Sequence, residues 1–265
     1  MNSNSAPFDA NAQGYDLEFT ETQVGKLQRA LTNNFLEGFI QANKPKTVLE
    51  LNCGTGADAL WMAQKGLKVT ATDLSSEMVR LTAGKTQAYG VQTIQTGIQG
   101  LEKAVGGQKF DLIWSNFGGF NCLSAGEIEA TSASISQLLN PGGQFVAVVM
   151  GNFCAWETLY FLAKFKFGEA FRRLKKGPIP ARLTDEIFQD TYYFSPKMFE
   201  WLYRSHLRPV KRLAIGAFLP PSYLDPFFNK RPNLLARMAR WENKVHHSRF
   251  PATFSDHFLV AFELK

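Results

Sequence analysis

The 265-residue chain carries 29 Lys/Arg against 23 Asp/Glu, a net charge of +6, with 45% hydrophobic and 20% charged residues. That balance fits one or two globular domains and excludes a disordered chain, and no run of about 18 apolar residues offers a membrane span. Seven Lys/Arg and one Glu fall between Lys164 and Arg182, leaving 22 of each sign elsewhere, so the excess is one local stretch and not a chain-wide footprint for nucleic acid.

The opening MNSNSAPFDANAQGYD has neither a basic start nor an apolar core, so no secretory leader is expected. Three cysteines without a CxxC pair give no disulfide framework and no zinc site, which reads as a soluble cytoplasmic protein without a bound metal. Aromatic residues are uneven, with 12 in residues 1–150 and 23 in residues 151–265, so the two parts are expected to do different work.

In chain order, Glu21 to Gln41 reads as an amphipathic helix. Thr47 to Leu51 reads as a strand, Gly56 to Lys65 as a helix and Leu67 to Thr72 as a second strand. Ser75 is placed to cap the next helix, with Glu77 in its first turn. Val91 to Gln95, Phe110 to Ser115 and Gln144 to Met150 read as strands three to five, and Pro141-Gly142-Gly143 should stop a helix of about Glu127 to Leu139 before the fifth. About 60 residues then break the alternation. Phe153 to Phe167 reads as helix, Ile187 to Phe194 as extended chain, and Ser195-Pro196 as a helix start. Val210 to Phe218 and His257 to Leu264 complete the strands, with a helix around Leu234 to Val245 between them. The expected fold class is α/β: a Rossmann-like, seven-stranded, mostly parallel sheet with helices on both faces and a helical, aromatic lid inserted after strand five. The expected divisions are an N-terminal helical lead-in (1–45), an α/β core (46–150), the lid (151–207) and the last two strands (208–265).

The chemistry is concentrated in Val48-Leu49-Glu50-Leu51-Asn52-Cys53-Gly54-Thr55-Gly56, followed seventeen residues later by Asp73. A glycine turn from strand to helix brings a ligand close to free backbone N–H groups, and an acid at the end of the neighbouring strand can accept from ribose hydroxyls. Gly54-Thr55-Gly56-Ala57-Asp58-Ala59 also fits the GxGxxA dinucleotide pattern, which leaves an NAD-dependent oxidoreductase as an alternative. Glu50 within the strand, with two residues before the first glycine, suits a cationic, amino-acid-bearing nucleoside better than a pyrophosphate.

The ordered segments ELNCGTG, VTATDLSSEM, FDLIWSNFGG and LLNPGGQFVAVVM resemble the motifs of class I S-adenosylmethionine-dependent methyltransferases. Phe8-Asp9 and Tyr15-Asp16 resemble the lead-in of the small-molecule branch that holds the ubiquinone/menaquinone C-methyltransferases. The resemblance implies S-adenosyl-L-methionine as cofactor. Glu50 and the Asn52, Cys53, Gly54, Thr55, Gly56 turn would surround its methionine moiety, and Asp73 would take the ribose diol. Leu74 and Met78 would flank the adenine, Gly97 and Ile98 would offer backbone to its edge, and Asn116 with Phe117 would lie beside the methyl group. Tyr15 would close over the cofactor. Asn52 replaces the commoner glycine, and Gly97 stands where many members carry an acid.

An enzyme methylating a small, apolar acceptor is the leading expectation, with a catalytically silent nucleoside-binding scaffold as the other alternative. No residue announces itself as a catalytic base. Cys53 reads as a small buried thiol, and the four histidines lack metal-ligand spacing. His257 beside Asp256 reads as structural, with a place near the substrate as the alternative. Phe and Tyr side chains of 153–194, Tyr192 and Tyr193 among them, are expected to enclose the acceptor, with Phe120 and Asn121 as the opposite wall. The stretch AKFKFGEAFRRLKKG reads as a solvated basic helix or as a peripheral surface for an acidic or lipid-like partner. Asn116-Phe117-Gly118-Gly119 lacks the Pro-Pro-aromatic signature of enzymes that methylate flipped bases, so no nucleic-acid partner is expected.

Overall fold

The computed structural model describes residues 6–248 and 250–265, so the first five residues of the lead-in lie outside it. In chain order the elements are α1 (Gln23–Asn43), β1 (Thr47–Leu51), α2 (Ala57–Gln64), β2 (Lys68–Asp73), α3 (Ser76–Thr86), β3 (Gln92–Gln95), α4 (Leu101–Ala104), β4 (Phe110–Ser115), α5 (Ala125–Gln137), β5 (Leu139–Met150), α6 (Ala155–Ala163), α7 (Phe167–Ala170), β6 (Ile179–Arg182), β7 (Phe188–Thr191), α8 (Pro196–Leu202), β8 (Leu207–Ile215), α9 (Asp225–Phe228), α10 (Pro232–Val245) and β9 (His257–Leu264). Seven strands form one sheet in the order β3-β2-β1-β4-β5-β9-β8, while β6 and β7 pair separately. Strands β1 to β5 run parallel, and β9 is antiparallel to both of its neighbours.

Alternation along the central strands divides the core between two faces. Val48, Leu112, Trp114, Val146 and Val148 pack with Leu31, Leu36 and Met62 of the α1/α2 side. Leu49, Leu51, Ile113, Phe145 and Val149 pack with Ile128, Ile135, Phe199 and Tyr203 of the α5/α8 side. A strand buried on both faces cannot carry an ionisable side chain cheaply, which makes Glu50, 2% exposed between Leu49 and Leu51, an exception requiring a reason.

Local signals explain the helix starts. Ser75 accepts from Met78 N at 3.1 Å, Thr22 from Gly25 N at 2.9 Å and Ser195 from Met198 N at 3.1 Å. Ser124 and Glu127 form a reciprocal capping box, so α5 begins two residues before the expected start. Pro141-Gly142-Gly143 does not end that helix. It lies inside β5, where the pairing with β4 shifts register between Phe110 and Leu112.

The insertion differs from the expected single helix. Phe153 to Phe167 breaks at Lys164 into α6 and α7, and the basic stretch itself supplies strand β6, which pairs antiparallel with β7 as a hairpin. Arg172 and Arg173 turn inward from that stretch: both grip the buried Glu157, and Arg173 also bonds Asp256 Oδ1 at 2.8 Å. Burial would raise the Asp256 carboxyl, but the neighbouring His257 and Arg173 side chains hold it well below the ordinary range. This cluster ties the insertion to the start of β9.

Candidate functional site

The cavity of about 260 Å³ lies beyond the carboxyl ends of β1, β2, β4 and β5, where Asn52, Asp73, Asn116 and Met150 follow or end the strands. Tyr15, Asn52, Gly54, Asp73, Leu74, Met78, Gly97, Ile98, Asn116 and Phe117 all line it. A smaller recess shares five of these residues and adds Glu50, Cys53 and Thr55, together with Arg29, Ala57 and Asp58. Gly56 lines neither. Its φ of +80° starts α2, and a Cβ there would stand 2.8 Å from Thr82 Oγ1, so its glycine answers to the approach of α3.

The turn is held open by specific contacts. Asn52 takes a φ of +54°, which asparagine tolerates better than most residues, and its amide donates to Ser115 Oγ at 3.1 Å. This side chain lies against Gly119, where a Cβ would come within 1.9 Å of Asn52 Nδ2. The Gly118-Gly119 pair after β4 is therefore the counterpart of Asn52 across the turn. Phe117 also has a left-handed φ of +45°, unusual for a bulky residue.

Asp73 is oriented before any ligand arrives. Its Oδ2 accepts from Gly54 N and its Oδ1 from Ser75 N, each at 2.9 Å, while burial pushes the carboxyl above its ordinary value against the pull of those N–H groups. Leu74 stands 59% exposed at the rim, with Met78 buried beneath.

The recess holds a charge arrangement that the sequence only half disclosed. Among the described residues, Glu50 Oε2 is buried with no hydrogen-bond partner, and so is Arg29 Nε. Arg29 bonds Asp58 Oδ1 through Nη1, and Asp58 Oδ2 accepts from Asn116 Nδ2 at 2.7 Å and Trp114 Nε1 at 3.3 Å. One acceptor and one donor of opposite charge are thus left unpartnered beside one turn, which fits a zwitterionic amino-acid group. Burial raises the Glu50 carboxyl well above its ordinary value; Asp58 adds to the rise and Arg29 opposes it. Arg29 escaped the sequence reading because its partner lies 29 residues away. The available signal was an arginine among Gln28 and Thr32, both buried, on an otherwise apolar helix face.

The N-terminal segment straps across the opening. Asp9 Oδ1 accepts from Ser75 Oγ at 2.5 Å, and Asp16 accepts from Thr55 Oγ1 at 2.6 Å and Lys85 Nζ at 2.8 Å. The acids of the FD and YD pairs therefore fasten the strap to the cap of α3 and to the glycine turn, which puts Phe8 and Tyr15 on the cavity wall. Burial pushes the Tyr15 phenol up to about 12, with Arg29 pulling the other way.

Phe120, Asn121, Tyr192 and Tyr193, expected to enclose an acceptor, do not line this cavity. Phe120 is wholly buried in the α5/α8 core with Phe145, Phe199 and Tyr203, because Gly118 at φ +86° turns the following chain inward. Asn121 is a strut: its amide donates to Tyr192 O at 2.6 Å and Met150 O at 3.2 Å, and its Oδ1 accepts from Met150 N. Tyr192 packs against the same core, and Tyr193 lies under the Arg173 guanidinium, 5.0 Å from the ring centre. The insertion contributes Ala181, Leu183, Gln189 and Thr191 to the lining, all from the β6/β7 hairpin, and Met150, Cys122 and Leu123 line the same cavity. His257 does not line the cavity; it meets the edge of Phe117 at 5.5 Å and stands 3.2 Å from Asp256 Oδ2 without hydrogen-bond geometry.

Residues 48–143 match the family described as "Methyltransferase domain". The match runs from β1 into β5 and takes in the glycine turn and Asp73, so this stretch is similar to a methyltransferase domain. Among particular proteins, the chain is 30% identical over 139 residues to malonyl-[acyl-carrier protein] O-methyltransferase of Pseudescherichia vulneris, covering 52% of this chain and 50% of that one. It spans about half the length of the curated relatives it matches. The fold resembles the CcbJ methyltransferase of Streptomyces caelestis, with TM-score 0.64, 18% identity and 99% of both chains covered. It also resembles an S-adenosylmethionine-dependent methyltransferase of Clostridium acetobutylicum, with TM-score 0.60, 15% identity and 98% and 99% covered.

Proposed function

We propose that the chain transfers the methyl group of S-adenosylmethionine to a small, largely apolar acceptor. The observation that carries this reading is the unpartnered Glu50 Oε2 in the recess beside the glycine turn. A buried carboxylate there suits a cationic ammonium and repels a pyrophosphate, which disfavours the dinucleotide alternative. In this reading Glu50 holds the ammonium, Arg29 the carboxylate and Asp73 the ribose hydroxyls. Cys53, Thr55 and Asn116 shape the recess, while Leu74, Met78, Gly97 and Ile98 form the adenine slot. When bound, the cofactor supplies a methyl group already activated by its sulfonium. The protein's own residues then orient the partners and keep water out, the strap through Phe8 and Tyr15, the hairpin through Leu183 and Thr191.

Met150, Leu123, Ala181, Leu183 and Phe8 give the acceptor compartment its apolar character, and Gln189 and Thr191 give it hydrogen-bonding groups. Residues 151–207 serve as its cover in this reading. The printed name of the Pseudescherichia relative suggests a carrier-linked acyl group methylated at oxygen, and the FD and YD pairs suggest a quinone-like ring. Methyl-labelled S-adenosylmethionine incubated with the lipid-soluble, polar small-molecule and macromolecular fractions of a cell lysate tests this. Label entering a small-molecule fraction, or released from protein as a small molecule by mild thioester cleavage, is expected; label confined to nucleic acid, or to protein that survives thioester cleavage, refutes the reading.

A further inference from the structure

Phe161, Ala170 and Arg173 of the 159–176 stretch are buried and Tyr160, Leu162 and Arg172 half-buried, while the remaining side chains are exposed. Leu159, Phe165, Phe167, Phe171 and Leu174 are 62%, 82%, 61%, 45% and 52% exposed. Helices α6 and α7 pack as one unit, with Thr158 Oγ1 donating to Ala170 O at 3.0 Å, so these side chains stand out from a single body. Lys164, Lys166, Lys175 and Lys176 lie among them, and Glu169 is the one exposed acid of the stretch, paired with Lys166. Lys175 and Lys176 have no ion-pair partner among the described residues.

Phe165 adds an independent observation. It ends α6 in a left-handed conformation, φ +59°, with Phe165 N bonded to Leu162 O and Lys166 N to Phe161 O. That position ordinarily takes glycine or asparagine, because a Cβ is strained there. Here a phenylalanine bears the strain while contributing little to the core. Strain combined with exposure does nothing for folding, and it suits a side chain that reaches into another apolar phase.

We propose that this face docks on an anionic lipid bilayer, the phenylalanines entering the acyl boundary and the lysines meeting anionic headgroups. Five large apolar side chains within sixteen residues argue for a bilayer over an acidic protein, which the lysines alone would serve. On the reading of the site given above, the docked insertion would set its hairpin beside a lipid-dissolved acceptor. Vesicle binding itself does not depend on that reading.

The test is co-sedimentation of the full chain with vesicles of phosphatidylcholine alone or with 30 mol% phosphatidylglycerol, without any methyl acceptor. Binding is expected to the anionic vesicles and to fall steeply with added salt. Lys175→Gln/Lys176→Gln should weaken it by about 25-fold, roughly fivefold per lysine. Phe165→Gly provides the separating readout: it should raise the melting temperature by relieving the left-handed strain and yet weaken vesicle binding. Failure to bind anionic vesicles, or equal binding by all three proteins, overturns the proposal. Retention on an acidic carrier protein without vesicle binding overturns it in favour of a protein partner. S-adenosylhomocysteine binding should be unchanged in these variants, so a failure here is separable from a failure of the methyltransferase reading.

Discussion

Replacing Glu50 with glutamine should move stability and cofactor affinity in opposite directions. The carboxyl is 2% exposed, and its Oε2 has no hydrogen-bond partner among the described residues. Glutamine leaves its own polar atoms unmet but removes an ionisable group whose buried charge is costly, so stability should stay equal or rise, by up to about 1–3 kcal/mol where the carboxyl would be ionised. For a chain of this length that is a rise of up to about 2–6 °C in melting temperature. With S-adenosylhomocysteine bound, the lost interaction is a charge-assisted bond to the ammonium, about 1.5–3 kcal/mol, or about 10- to 150-fold in Kd. Burial and Asp58 raise the folded-state value above the ordinary carboxylate range. The carboxyl's contribution to stability is therefore complete below that range and lost as pH climbs through the folded value. A bound ammonium favours the ionised form, so binding below the folded value should release a proton, and Glu50→Gln should abolish that release. Calorimetry in two buffers of different ionisation enthalpy, with a thermal melt of each protein, reads all three effects. Parallel loss of stability and affinity, or unchanged affinity, would refute the reasoning.

Other substitutions test other parts of the site. Asp73→Asn can keep only one of the two N–H bonds that Gly54 and Ser75 now donate, and should weaken S-adenosylhomocysteine by about tenfold or more, measured by calorimetry. Gly119→Ala should damage binding because its Cβ would strike Asn52, and Asn52→Gly in the same chain should restore it; absence of rescue would break the proposed pairing. The Asp16 carboxyl resists the upward push of burial and is held low by Lys85 and Thr55. Its share of stability is present above the unfolded carboxylate value and lost as pH falls through the folded one, so Asp16→Asn should flatten the acid limb of the stability profile. Arg173→Met leaves Glu157 and Asp256 buried without that partner and should cost about 3–5 kcal/mol in denaturant unfolding.

Much of the sheet was readable from local pattern. TVLEL, FDLIWS and HFLVAFEL begin and end where the observed strands do, because continuous apolar runs bounded by polar turns have few other uses. The motif residues were readable too, since strand, turn and acid are close in sequence. What was hidden depends on distant contacts. Strand β6 is four residues long, contains Pro180 and sits in a basic stretch, so only its pairing with β7 makes it a strand. Phe120 and Asn121 were placed on the acceptor wall because they follow β4, but the left-handed Gly118 points them into the core. Arg172 and Arg173 read as solvated charges, and Arg29 drew no reading, until Glu157, Asp256 and Asp58 arrive from elsewhere in the fold.

Titration calorimetry with S-adenosylhomocysteine, run beside NADH on the same preparation, is the most direct test of the central claim. One equivalent of S-adenosylhomocysteine should bind with a rise in melting temperature, since it would engage only the folded chain, and NADH should give no heat. Saturable NADH binding, or a folded protein indifferent to S-adenosylhomocysteine, would contradict the assignment of Glu50 and Asp73 to the two ends of a methyl-donor site.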